Sequence, residues 1–490
     1  MASIPPAGCM ESLHYQNGSS DFAVHFISTE ILTRPTNHSV TISLFPKSDL
    51  QITLEYGTSE DCLSRLIPTS LARAGSPFNA TIEGLLPDEI YYYRVCCREL
   101  VKGSDGHSSS IEYLCGPSHT FHTQRPASDK ANANSTFSFG IQADSHPERI
   151  GKMFDPALYE QTMRNAGEGG LDFYISLGDD FSIDRLIERK QINQSMVDAV
   201  YLSQRKYLGI VGSSTPIFLV NGNHEQAARY LLDGTMQSPA VCAGISRMSF
   251  FPQPIPDGFY SGDDEMIEFV GLPGDYYSWR WADALFVVID PYWHSPTAVD
   301  SQPGSKGKKH AAERRNMWNI TLGEAQYRWF KKTLEESDAA YKFVFAHHVL
   351  GTGRGGIENA NLYEWGGRDQ KGAWEFESRR PGWQQPIQQL MAENKVDIFF
   401  QGHDHLFARQ ELDGVVYQEV PCPADPTFSA FNADSYTSGT ILPNSGYLRV
   451  TVSSQKVTVD YVKSYLPNQE TATEYNGMVA YSYVLPGGKS

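Results

Sequence analysis

Five short apolar runs in this chain each stop at a residue able to ligate a metal or move a proton. Residues 136–141 run into Asp144-Ser145-His146, residues 171–177 into Gly178-Asp179-Asp180, and residues 217–220 into Asn221-Gly222-Asn223-His224-Glu225. Residues 342–346 run into His347-His348, and residues 396–400 into Gly402-His403-Asp404-His405. Together Asp144, His146, Asp179, Asn223, His224, His347, His403 and His405 form a mixed oxygen and nitrogen donor set. Such a set suits divalent manganese, zinc or iron, whereas calcium and magnesium favour all-oxygen sites. Eight donors are too many for one tetrahedral ion. A carboxylate shared between two ions about 3.5–4 Å apart accommodates them as a two-metal hydrolytic centre. Taken singly, an Asp-Ser-His is a turn and a Gly-Asp a loop start; the ordered set of five is the signal.

The elements that must position these residues follow from the same runs. Each reads as a strand buried on both faces, as in a largely parallel sheet, where ligands collect beyond the carboxyl ends of the strands. Between them, residues 156–166 read as a helix, residues 183–208 carry mixed helical periodicity, and Thr321-Leu322-Gly323-Glu324 reads as a capping box opening a helix to about Leu334. Pro386 is placed to start a helix over residues 387–394. Residues 447–462 alternate as a hairpin, with Leu448, Val450 and Val452 opposite Val457, Val459 and Tyr461, and predict a second, partly antiparallel sheet packed on the first. Residues 226–320 contain one readable strand, 285–289, amid a long Gly-, Pro- and aromatic-rich stretch of the kind that forms lids and binding loops.

Residues 20–125 look all-β, with strand-like runs at 22–26, 40–44, 52–56, 78–82, 91–95 and 120–122 separated by turn signals at sandwich-like intervals. The polar stretch 128–135 reads as a linker. At 490 residues two domains are expected, since single cores stop growing near roughly 250–300 residues. The net charge of −17 argues against nucleic acid or an anionic membrane as the main partner, and bound metal would supply the local positive charge an anionic substrate needs. No run approaches the roughly 18 apolar residues of a membrane span, and the first 15 residues do not read as a signal peptide. A secreted or periplasmic protein whose leader is absent from this sequence is the expectation; a cytoplasmic one is the alternative. Of seven cysteines, five precede residue 120, which suggests disulfide pairing in the first domain with at least one thiol left over.

The order Asp-x-His, Gly-Asp, Gly-Asn-His-Glu, His, Gly-His-x-His resembles the calcineurin-like metallophosphoesterase superfamily. The segments 85–95 and 118–123 resemble the fibronectin type III-like domain that precedes the catalytic domain in the purple-acid-phosphatase-like branch. The resemblance implies an α/β protein: a β-sandwich over residues 1–127, a four-layer αββα catalytic domain over 136–465 and a tail over 466–490. It also implies hydrolysis of small phosphoric esters, as a phosphatase or phosphodiesterase, by a metal-activated hydroxide. By motif, Asp144, His146 and His405 would hold one metal, Asn223, His347 and His403 the second, with Asp179 bridging. His224 would stabilise or protonate the leaving oxygen.

Several neighbours compete for roles. His348 stands beside His347 and is expected to serve the substrate pocket. Arg354, in the Gly-rich run 351–356, is placed to grip phosphate oxygens, or the run is a plain flexible loop. Trp365, Trp374 and Trp383 either line the site's mouth or pack a core. Asp180 and Glu225 are expected to support the ligands rather than react, and Asp404 to point away. The family's purple members carry a metal-binding tyrosine four positions after the Gly of Gly-Asp; here that position is Ser182, beside Phe181, which predicts a colourless pair of divalent ions. A different class, a secreted or surface binding protein with a degenerate catalytic domain, is disfavoured by the intact ligand set. Oligomeric state is not legible.

Overall fold

The computed structural model describes residues 16–17, 22–100, 112–126, 136–299, 316–349 and 353–487. The front domain is a β-sandwich. One sheet pairs strand Leu50–Gly57 with Arg65–Ala72 and with Ile90–Glu99, and the latter also pairs His119–His122 and Leu114–Cys115. The other sheet holds Ile31–Thr33, Ser39–Leu44 and Phe78–Glu83. Alternation puts Val40, Ile42, Leu54, Tyr91, Tyr93 and Phe121 into one buried core. Residues 22–26, expected as a strand, form a helical turn instead, with Phe22 and Phe26 packed ring against ring. Strand Arg65–Ala72 escaped the reading because it is almost wholly exposed and carries Pro68, as edge strands do.

Cys96 and Cys97 face opposite sides of their strand. Cys97 joins the sandwich core, and Cys96 forms a disulfide with Cys115, its direct cross-strand neighbour. Cys62 is also disulfide-bonded, and Cys97, Cys242 and Cys422 are buried thiols. The linker expected at residues 128–135 lies outside the described residues.

The second domain has two sheets face to face. One runs Ile217–Leu219, Phe173–Ser176, Phe137–Gln142, Gly446–Val452, Lys456–Lys463, Val479–Pro486. The other runs Ser261–Gly262, Tyr277–Trp281, Ala284–Val288, Tyr341–Phe345, Ile398–Gln401, Val415–Glu419, Phe407–Leu412, Thr440–Leu442. Phe139, Phe173, Phe218, Trp279, Phe286, Phe343 and Phe400 fill the space between them. Helices Pro156–Gly167, Gln194–Gly212 and Pro239–Phe250 cover the first sheet, and Gly323–Glu335 and Ile387–Glu393 cover the second. This is the four-layer αββα arrangement.

Three details differ from expectation. The hairpin has the expected register, Leu448 opposite Tyr461, Val450 opposite Val459 and Val452 opposite Val457, but it extends the sheet containing Phe137–Gln142 rather than founding the second one. The second sheet is built instead from strands starting in the unreadable stretch before residue 290. Strand Val479–Pro486, assigned to a tail, pairs along Lys456–Lys463 as the edge of the first sheet. The helix at Gly323 has no side-chain cap on its preceding residue: Thr321 Oγ1 accepts from Gly323 N at 2.9 Å, while Glu324 turns outward to Trp383 and Arg328. Among the described residues no helix is long and apolar enough to cross a membrane.

Candidate metal centre

Strands Phe137–Gln142, Phe173–Ser176 and Ile217–Leu219 run parallel, as do Ala284–Val288, Tyr341–Phe345 and Ile398–Gln401. Their carboxyl ends therefore open on one edge of the two-sheet stack, and all five motifs meet there. The turns are tight. Asp144, His146, Asp179, His403 and His405 all have positive φ, between 48° and 80°. For residues bearing a Cβ this costs of order 1–2 kcal/mol each, and such strain persists where the surroundings over-determine the geometry. Gly222 has no alternative: a Cβ there would lie 2.3 Å from Asp179 Oδ1 and 2.5 Å from Asp179 N.

The donors close into overlapping sets. Asp144, His146 and His405 have ligand atoms within 4.8 Å of one another, as do Asp179, His347 and His403, and His146, Asp179 and His224. His405 Nε2 is 3.3 Å from Asp144 Oδ1, and His347 Nε2 is 3.1 Å from Asp179 Oδ2 and 3.8 Å from Asp144 Oδ1. Second partners fix the rings. His146 Nδ1 bonds Glu148 Oε1 at 2.9 Å, and His347 Nδ1 donates to Leu177 O at 2.9 Å, so each Nε2 faces inward. Asp144 Oδ2 accepts from His403 N at 2.7 Å, leaving Oδ1 directed at the histidines.

The donors fit a metal. Asp144 Oδ1 and His146 Nε2 are buried with no hydrogen-bond partner, a cost that a coordinated cation removes. The electrostatics point the same way. Burial opposes charge on His347, yet the Asp179 and Asp144 carboxylates outweigh it and raise its pKa well above the ordinary imidazole value. Burial alone would raise Asp179, but His347 and His224 pull it well below the carboxylate range. A divalent cation takes the place of those protons.

Asp180 and Glu225 hold the frame, as expected. Glu225 accepts from the backbone N–H groups of Asp179, Asp180, Phe181 and Gly222, stitching the second and third motifs together. Asp180 accepts from Ser176 Oγ, Gln142 Nε2 and Ser145 N. Asp404 points away and accepts from Tyr436 Oη at 2.7 Å and Gly355 N at 2.7 Å.

The candidate substrate residues fall differently. Arg354 Nη1 donates to His403 O at 2.5 Å and Asp404 Oδ1 at 3.0 Å, so the guanidinium braces the Gly-His-x-His turn. His348 is buried, its Nδ1 2.8 Å from Tyr292 Oη and its ring 4.7 Å from that of His403. Trp365 and Trp383 are packed: Trp365 Nε1 donates to Tyr417 Oη, and Trp383 stacks on Tyr327 at 3.8 Å. Trp374 is exposed.

Two residues at the site had no sequence signal of their own. Asp184 Oδ2 stands 2.5 Å from His224 Nδ1, and Arg149 Nη2 is 3.3 Å from His224 Nε2. Arg149 follows its motif by only three residues, and proximity to Asp-x-His was the available clue. Burial works against the charged form of His224, but Asp179 and Asp184 raise its pKa to about 9.

The family model for calcineurin-like phosphoesterases matches residues 137–407, over half of the 490, and the chain belongs to that family. It is a phosphoric ester hydrolase that works with divalent metal. The structure is similar to that of PhoD, at 14% identity and a TM-score of 0.63, over 95% of this chain and 91% of that one. It is also similar to the purple acid phosphatase PPD1 from yellow lupin (Lupinus luteus) seeds, at 15% identity and a TM-score of 0.55, over 94% and 74%. At these identities the likeness concerns the fold. No curated protein matches the sequence.

Proposed function

We propose that the protein hydrolyses small phosphoric esters at a dinuclear centre in which Asp179 is shared. Asp144, His146 and His405 hold one divalent ion, and Asn223, His347 and His403 hold the other. The carrying observation is the overlap of the donor sets on Asp179, whose Oδ2 lies 3.6 Å from His146 Nε2 and 3.1 Å from His347 Nε2. When bound, two divalent ions of the manganese, zinc or iron type neutralise phosphoryl oxygens and acidify a coordinated water.

The chain's own residues do the rest. His224 offers Nε2 on the open side of the site and, held protonated by Asp179 and Asp184, donates a proton to the departing alkoxide. Arg149, whose Nε pairs with Glu148 at 3.3 Å while its Nη2 lies 3.3 Å from that nitrogen, supplies the cation for a substrate oxygen; Arg354 donates to both Asp404 and the His403 carbonyl and braces the second metal's turn. The His146–Asp179–His224 set would also allow His224 to ligate. The Arg149 guanidinium stands 3.3 Å from its Nε2, where a coordinated ion would meet like charge, which favours the proton-donor role.

The Cys96–Cys115 disulfide supports a location outside a reducing cytosol. The test is metal analysis with turnover of paired aryl phosphate mono- and diesters under several metals. Two ions per chain that Asp179→Ala removes, together with metal-dependent turnover, support the reading; a folded protein that binds metal without hydrolysing either ester overturns it.

A further inference from the structure

Away from the strand-end cluster, a second buried group of donors sits at the sheet edge opposite the hairpin. Asp263 follows strand Ser261–Gly262 and Asp275 precedes strand Tyr277–Trp281; the pairing of these strands, Gly262 against Tyr277, brings the two carboxylates together. His294 arrives from the loop after Ala284–Val288, its Nε2 3.2 Å from Asp275 Oδ2. The three ligand atoms lie within 4.8 Å of one another.

Asp263 and Asp275 are only 2% and 1% exposed, and Asp263 Oδ2 and Asp275 Oδ1 receive no hydrogen bond of good geometry, with only the Tyr276 phenol and the facing carboxylate beside Asp263. Nor do the nearby arginines neutralise them. Arg247 donates to the carbonyls of Pro273, Gly274 and Leu219, and Arg229 pairs with Glu265. Asp290 adds a third buried carboxylate to the same field, raised to about 6 by burial and by Asp275. Two buried carboxylates beside one imidazole, without a basic side chain, lack the compensation that buried charge requires.

We propose that Asp263, Asp275 and His294 form a structural site for a divalent transition ion such as zinc, distinct from the strand-end cluster. Two carboxylate oxygens and one imidazole nitrogen are the donor types such an ion accepts, and burial gives the closed surroundings of a structural rather than a reacting site. An ion held by both carboxylates takes the place of any proton they share. The ion would fasten the irregular residues 253–299 to the domain. Asp263 and Asp275 flank their strand pair, and His294 packs against the start of helix Gly323–Glu335, its Cβ 3.4 Å from a Cβ built on Gly323.

The alternative is a carboxyl–carboxylate pair that shares a proton and binds nothing. Asp263→Asn imitates the protonated carboxyl and separates the two. The full chain is loaded with zinc, desalted and assayed for zinc per chain and for Tm, alongside Asp263→Asn, Asp263→Asn/Asp275→Asn and His294→Gln. The proposal expects each variant to hold about one zinc fewer than wild type and to lose part of the zinc-dependent rise in Tm. The difference is the readout, so the number of ions in the strand-end cluster does not enter. It further expects an Asp179→Ala chain to retain one zinc that the added His294→Gln change removes. Should the double Asn variant fail to fold, the two single variants decide the matter. Zinc content equal to wild type in the folded single variants, or an Asp179→Ala chain that retains none, overturns the site.

Discussion

Asp184 Oδ2 lies 2.5 Å from His224 Nδ1 and fixes which way the imidazole presents its other nitrogen. Asp184 opens the short helix Asp184–Glu188, just past the second motif, and Gln226 Nε2 donates to its other oxygen at 2.8 Å. The carboxylate orients the ring and sustains its positive charge in the way that outer-shell carboxylates fix metal-binding histidines. Asp184→Asn removes the charge and keeps the size. The expected result is a fall in hydrolysis of about 10–100-fold with metal content unchanged. His224→Ala is expected to cost more, about 10²–10⁴-fold, again with metals retained. Metal loss in step with activity in either variant would make His224 a ligand.

Asp179→Ala is expected to empty both ligand sets together, because the carboxylate serves each. Chelation should likewise abolish turnover, and manganese, zinc or ferrous iron should restore it to the wild type but not to the variant. The check is metal per chain measured beside activity. A variant that kept one full equivalent at the strand-end cluster would divide the sites differently.

The two domains meet through a titratable contact. His122, on the last strand of the sandwich, has Nδ1 2.6 Å from Asp172 Oδ1 of the catalytic domain and Nε2 3.2 Å from Asp88 Oδ1. Burial lowers its pKa, but Asp172 and then Asp88 raise it above 6.5 overall. A raised folded-state pKa means the folded protein binds the proton more tightly. The stabilisation is complete below the unfolded value near 6.5 and is lost as pH rises through the folded one. His122→Gln should therefore cost about 1.5–3 kcal/mol at pH 6, the range for a hydrogen bond to a charged group, and much less at pH 9. Tm measured at both pH values tests it; an equal deficit at the two would refute the linkage.

The five motifs were legible because a parallel strand must end where its backbone partners end, and each ended in a ligand type. The sheet that lies behind them was not. Strand Tyr277–Trp281 carries two tryptophans and an arginine, and its pairing with Ala284–Val288 depends on a turn at Ala282, a non-glycine at positive φ that no turn rule singles out. Val479–Pro486 buries no residue fully, alternating half-buried and exposed as an edge strand, and lies 16 residues beyond its partner's end, too far for a hairpin signal. Arg354 illustrates a different limit. Its position in a Gly-rich run beside His347 suggested a phosphate grip, but which carboxylate an arginine meets is decided by residues 50 further on, here Asp404.

The site's colour is the remaining expectation, and it turns on Phe181 and Ser182. Phe181 is buried in the packing behind the motif, its ring stacked on Tyr201 at 4.4 Å and edge-on to Phe251 at 5.2 Å. No phenolate oxygen can come from that position. Tyrosines elsewhere around the site are engaged: Tyr292 at His348, Tyr436 at Asp404 and Tyr159 at Gln142. Burial first, and then neighbouring carboxylates, push the Tyr436 and Tyr159 phenols well above their ordinary pKa, so both stay neutral. A neutral oxygen donor does little to stabilise a trivalent ion, and the first ligand set of Asp144, His146 and His405 with Asp179 carries only two negative charges. Protein loaded with two equivalents of iron or manganese and handled in air is therefore expected to show no strong visible charge-transfer band. Ser182→Tyr should change this only if the residue can turn inward past Phe181, so the wild-type spectrum is the deciding measurement. An intense tyrosinate-to-iron band in the wild type would mean that a tyrosine reaches the metal, and the two-divalent-ion reading of this centre would fall.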